Sequence, residues 1–85
     1  MKVTVHLGEP YWRAINARTI ELTLSAGSSV AAMLLALFDQ YPALAPDLRE
    51  GEVRPVIFVD DHETQPETPL ADGAQIHIVW PISGG

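Results

Sequence analysis

One segment of this chain has the apolar spacing of a helix, and it is set among segments whose apolar residues alternate. Val30, Met33, Leu34, Leu37, Phe38 and Tyr41 recur at the i, i+3, i+4 spacing that lines one helix face. Ser28 and Ser29 precede this stretch with hydroxyls suited to an N-cap, and Pro42 closes it. Elsewhere the period is two. Met1, Val3, Val5 and Leu7 point one way and Lys2, Thr4 and His6 the other. Ile20, Leu22 and Leu24 alternate with Glu21, Thr23 and Ser25, and Ile76, Ile78 and Trp80 alternate with Gln75, His77 and Val79. A lone amphipathic helix must bury its stripe against the apolar side of such strands, so one helix on one sheet is expected.

The connections fit that scheme. Pro10 and Asn16 mark the stretch from Gly8 to Arg18 as a loop with one loose helical turn at Tyr11 to Ile15, joining strands one and two as a long-looped antiparallel hairpin. Residues 43 to 54, with Pro46, Asp47, Glu50 and Gly51, read as an irregular crossing pinned to the core by Leu44 and Leu48. The run Val56-Ile57-Phe58-Val59, ended by Asp60-Asp61, suits a short strand buried on both sides. A polar passage from His62 to Thr68 and the turn pair Asp72-Gly73 lead into the last strand. The expected fold is α+β, a β-grasp (ubiquitin-like) arrangement: a four-stranded mixed sheet, first and last strands central and parallel, with one main helix packed across one face. Residues 1–80 form a single domain in this reading. Pro81 cannot donate a ladder hydrogen bond, so residues 81–85 are expected to be a flexible tail.

Composition removes several classes of function. None of the 85 residues is cysteine, which excludes disulfides, thiolate catalysis and cysteine-based metal or iron–sulfur sites. A net charge of −6 leaves no basic surface to neutralise phosphates, so no nucleic-acid partner is expected. No apolar run is long enough to span a bilayer or to act as a secretory h-region, and a cytoplasmic location without membrane association is expected.

The ending Ile82-Ser83-Gly84-Gly85 carries chemistry of its own. Four residues past Pro81 reach about 13 to 14 Å when extended. Glycines without a Cβ pass a narrow channel and adopt backbone angles closed to other residues. The α-carboxyl of Gly85 is an anion at neutral pH and a poor electrophile. Adenylation by ATP on a separate enzyme would activate it, and sulfur transfer to the acyl adenylate would leave a terminal thiocarboxylate.

The run from Thr68 to Gly85 resembles the end of the MoaD/ThiS sulfur carriers, which include the molybdopterin-synthase small subunit and the thiamine sulfur carrier. Trp12-Arg13, Arg18 to Leu22, and the helix from Val30 to Tyr41-Pro42 are similar to the corresponding family segments. The resemblance implies a β-grasp fold and a thiocarboxylate on Gly85 that donates sulfur in cofactor or metabolite biosynthesis, the molybdopterin-synthase type being favoured. It implies three partners: an ATP-dependent, ubiquitin-activating-like adenylating enzyme; a sulfur donor such as a cysteine desulfurase or rhodanese; and an acceptor such as a molybdopterin-synthase large subunit or thiazole synthase. ATP and Mg would be used by the adenylating enzyme, with no cofactor held permanently here. The chain departs from the family in Trp80-Pro81, where Pro-Pro is frequent, and in Asp60-Asp61-His62, where Asn-Gly is frequent.

Gly85 is thus the reacting residue expected, with Gly84, Ser83, Ile82, Pro81, Trp80, Val79, His77 and His6 as partner-binding candidates. Trp80 serves equally well as an anchor or as packing for the sheet end. His6 and His77 are expected to be cross-strand neighbours, either plain surface residues or a pH-sensitive contact. Asp60-Asp61-His62-Glu63 reads as a solvated turn and not a metal site, since consecutive turn residues rarely converge on one ion. Two other functions remain open: a protein modifier joined through Gly85 to target lysines, and a non-reactive β-grasp binding module. An enzyme in its own right is not expected, because no nucleophile and base pair, phosphate loop or metal motif stands out.

Overall fold

A computed structural model of the chain describes residues 1–81. The strands are β1 (Lys2–Leu7), β2 (Thr19–Thr23), β3 (Val56–Val59), β4 (His62–Glu63) and β5 (Gln75–Val79), and the helices are α1 (Val30–Gln40) and the single turn α2 (Ala45–Leu48). Short 3₁₀ turns at Tyr11–Ala14 and Pro42–Leu44 complete the path. The sheet order is β2-β1-β5-β3-β4. β1 and β5 are the parallel pair, and the other pairings are antiparallel.

Alternation places Val3, Val5, Leu7, Ile20, Leu22, Ile76 and Ile78 on the covered face, all buried. Against them α1 lays Val30, Met33 and Leu37, also buried, with Leu34 and Phe38 at the margin. The Ser29 hydroxyl caps the helix, accepting from the Ala32 amide at 3.2 Å. At the other end Tyr41 is the cap residue, and Pro42 opens the 3₁₀ turn that follows. Leu44 and Leu48 are buried as expected, although the crossing that carries them contains two short helical turns.

Two expectations about β3 need correction. The sheet has five strands and not four, because Asp60 and Asp61 both take positive φ, 47° and 71°, and reverse the chain in two residues. Positive φ at both central positions matches the twist of a hairpin, and Asp tolerates it, so His62–Glu63 pairs back onto β3. Nor is β3 buried on both sides. All four of its residues are half-buried, because only one sheet face is covered by α1. Ile57 and Val59, registered against Ile78 and Ile76, pack toward the core, so Val56 and Phe58 stand on the open face. Among the described residues no helix is long and apolar enough to cross a membrane.

Candidate functional site

The last strand is central. β5 is flanked by β1 through His6↔His77 and Leu7↔Ile78, and by β3 through Phe58↔His77 and Val56↔Val79. Beyond Leu7 the Gly8 amide still donates to the Ile78 carbonyl at 2.9 Å. The chain is therefore held by β1 through Ile78 and by β3 through Val79, and β5 ends in the middle of one sheet end. Ile82, Ser83, Gly84 and Gly85 lie outside the described residues.

Several groups surround this exit. Trp80 is 43% exposed, and its ring lies 6.1 Å from that of fully buried Tyr11, which anchors the β1–β2 loop in the core. Gly8, Glu9, Pro10, Val79 and Trp80 line a shallow notch of about 510 Å³. Gly8 leaves room there: a Cβ at this position would stand 3.3 Å from the Ile78 carbonyl oxygen and 3.7 Å from Val79 Cγ1. Two polar atoms under the loop, the Tyr11 hydroxyl and Trp12 Nε1, are buried without a hydrogen-bond partner among the described residues. Burial, and secondarily the negative charge of Asp47, raises the Tyr11 pKa above its ordinary value of 10.0.

On the open face, one row of residues crosses all five strands: Thr19, His6, His77, Phe58 and Glu63. The His6 and His77 rings are stacked, with centroids 4.4 Å apart and planes at 12°. The Gln75 amide nitrogen donates to the Gly73 carbonyl at 3.4 Å, which turns its Oε1 toward His6 Nε2 at 2.8 Å. His6 Nε2 accordingly carries the proton, and Nδ1, 3.4 Å from Thr19 Oγ1, faces a hydroxyl able to donate to it. The adjacency expected of His6 and His77 is present. Phe58 and Val56 had not been expected on this face. Their placement follows from parity, because once Ile57 faces the helix its neighbours must face away.

Of the partner-binding candidates, Val79, Trp80 and Pro81 lie at the exit, and His6 and His77 are stacked on the open face in the row that carries Phe58. Among the described residues no three His, Cys, Asp or Glu side chains come together as metal ligands. Asp60-Asp61-His62-Glu63 is the β3–β4 turn and the start of β4.

The model of the ThiS family matches residues 13–85. No curated protein gives a significant match. Among solved structures, small archaeal modifier protein 1 (SAMP1) from Methanosarcina acetivorans is similar at 28% identity and a TM-score of 0.76, covering 99% of this chain and 96% of that one. SAMP1 from Haloferax volcanii is similar at 20% identity and a TM-score of 0.86, with full coverage of both chains. A chain in the complex of subunits 1 and 2 of molybdopterin-converting factor from Helicobacter pylori 26695 is similar at 24% identity and a TM-score of 0.68, again with full coverage of both.

Proposed function

The chain belongs to the ThiS family, and from that premise we propose that it is a sulfur carrier whose working group is the C-terminal carboxylate of Gly85. A Gly85 carboxylate oxygen attacks the α-phosphorus of ATP on a separate adenylating enzyme, and pyrophosphate leaves. A hydrosulfide equivalent from a sulfur donor then attacks the acyl carbon, AMP leaves, and a thiocarboxylate remains. That group donates its sulfur to an acceptor enzyme of cofactor or metabolite biosynthesis, the large subunit of a molybdopterin synthase being the favoured type. ATP and Mg belong to the adenylating enzyme, and this chain acts as co-substrate or small subunit, not as a catalyst alone.

The observation that supports this most is the exit geometry. β5 is paired on both sides close to its end, so the strand that leads to Pro81 is a fixed base for the four residues beyond it. Four residues reach about 13 to 14 Å, enough to carry a carboxylate into a partner's active site while the folded body stays outside.

A test is the intact mass of the protein after incubation with ATP, a sulfide source and a family adenylating enzyme, beside a Gly85 deletion treated alike. The carrier reading expects the mass gain of one oxygen replaced by sulfur in the full chain alone. The likeness to SAMP1 favours a second reading, in which a lysine of a target protein attacks the acyl adenylate and forms an isopeptide bond. Lysine-linked adducts in cells, lost on deletion of Gly85, would support that modifier role.

A further inference from the structure

Helix α1 is apolar nearly all round. Every residue from Val30 to Phe38 is apolar, and Asp39 and Gln40 alone supply polar side chains. A helix that lays one face on a sheet normally turns a charged or polar face to water, whereas one that is apolar on all sides is covered on all sides. Here α1 buries Val30, Met33 and Leu37 against the sheet and no more. Leu35, on the opposite side, is 64% exposed, and Leu34 and Phe38 beside it are half-buried.

Leu34 and Phe38 form one wall of a groove of about 740 Å³ between α1 and the start of β3. Leu48, Pro55, Ile57 and Pro66 add further apolar lining. Pro66 is tied to the start of the helix, because the Ala31 amide donates to its carbonyl at 2.8 Å. The charges that line the groove cancel, Arg49 and Arg54 against Glu52 and Glu63. Asp39, Asp47 and Glu50 are close in sequence but do not line it. The net charge of −6 is therefore carried by the rest of the chain.

We propose that the outer face of α1 and this groove form the contact between two copies of the chain, related by a two-fold axis, with Leu35 of each copy seated against the groove of the other. A projecting side chain and a recess lie side by side on one patch, as a two-fold contact requires, because each copy must supply both halves. Two chains of charge −6 repel where their acidic surfaces meet, and a neutral patch avoids that repulsion. A membrane surface fits poorly, since α1 carries no lysine or arginine to hold lipid headgroups. The 11 residues of α1 are about 16 Å long, which puts the contact at the small end of specific interfaces and makes the dimer weak and reversible. Because α1 covers one side of the sheet, the contact leaves the open face with His6, His77 and Phe58 free, and the inference does not depend on the carrier reading.

The test is sedimentation velocity of the full chain over a concentration series reaching the millimolar range, at low and high salt. The dimer predicts a weight-average mass that rises with concentration, and rises further with salt as the repulsion between acidic chains is screened. Leu35→Glu puts a charge into the contact and should weaken association by about tenfold or more. Thr19→Glu adds the same charge on the open face and should leave association nearly unchanged, and Leu35→Met, which keeps an apolar side chain, should retain it. Leu35 is exposed in the single chain, so each variant should fold, and thermal melts check this. A chain that stays monomeric throughout the series, association that survives Leu35→Glu, equal losses in Leu35→Glu and Thr19→Glu, or association that weakens with salt would each overturn the inference. A monomer whose complex with the adenylating enzyme is lost in Leu35→Glu would also overturn it, by assigning the face to that enzyme.

Discussion

Replacing Tyr11 by Phe should make this protein more stable, most clearly at high pH. The Tyr11 side chain is fully buried, and its hydroxyl has no hydrogen-bond partner among the described residues. Burying an unsatisfied hydroxyl costs about 1 to 3 kcal/mol relative to leaving it in water. Phenylalanine keeps the ring, its core contacts and its neighbour Trp80, and removes only the oxygen. The small gap left behind argues for the low end of that range, a gain of about 1 kcal/mol at pH 7, which corresponds to about 4 to 8 °C in Tm for a domain of this size. The pH dependence has a definite sign. In the unfolded chain this tyrosine ionises near 10, whereas in the fold burial and Asp47 keep it protonated to higher pH. Below 10 both states hold the proton and nothing changes. From 10 upward the folded state binds a proton that the unfolded state has lost, so the stability of the unaltered chain falls as pH rises. Tyr11→Phe lacks that fall, and Tyr41 is common to both chains and drops out of the difference. Urea unfolding followed by the fluorescence of Trp12 and Trp80, at pH 8 and at pH 10.5 and above, measures the gap directly. A variant less stable than the unaltered chain, or a gap that stays constant across that range, would refute the reasoning.

Deleting Gly85 should abolish adenylation while leaving Tm unchanged, since a single terminal residue contributes little to a packed core; pyrophosphate exchange and a thermal melt check the two halves. Ser29→Ala removes the hydroxyl that caps α1 and should cost about 1 kcal/mol in a urea titration, with adenylation unaffected. Leu37→Ala, at a fully buried contact of α1 with the sheet, should cost about 2 to 5 kcal/mol, which calorimetry would register as a large fall in Tm. Phe58→Thr keeps a strand-forming residue on the open face but removes the ring beside His77; stability should change by less than about 1 kcal/mol, whereas affinity for the adenylating enzyme, measured by calorimetric titration, should fall if this face is part of the docking surface.

How much of this could be read from the residues depends on the range of the interaction concerned. The α1 stripe and the strand alternations are local periodicities, and they place the helix, the inward residues Val3, Val5, Leu7, Ile20, Leu22, Ile76 and Ile78 and the pairing of the first and last strands correctly, whereas buried Tyr11 in the β1–β2 loop carries no such signal. His6 and His77 were legible as neighbours because alternation and topology together leave little choice of register. Phe58 was less legible. A four-residue apolar run reads equally as a strand buried on both faces or as one buried on a single face, and only the count of helices decides. One helix covers one face, so half of Val56-Ile57-Phe58-Val59 had to stand in the open. The fifth strand was hidden for another reason: Asp60 and Asp61 both at positive φ make a hairpin turn without the glycine that usually signals one. That β2 and β3 start at the same end of the sheet as β5 finishes is set only by the pairing of strands distant in sequence.

That coincidence of ends bears on why such a sheet would suit the proposed carrier role. A tail leaving an edge strand would be held by one ladder, and a pull on it could peel the strand away residue by residue. Here β5 has a ladder on each side, and both extend to the last residues before Pro81: Val56 against Val79, and the Gly8 amide on the Ile78 carbonyl. A pull on β5 from its C-terminal end would be shared between β1 and β3, and through Ile76 and Ile78 with the core under α1. The arrangement also places loops on both sides of the exit, because the parallel β1 ends where β5 ends and the antiparallel β2 and β3 begin there. Loops at that end can change in charge and shape without disturbing the packed face, so one fold can serve different partners through its exit surroundings.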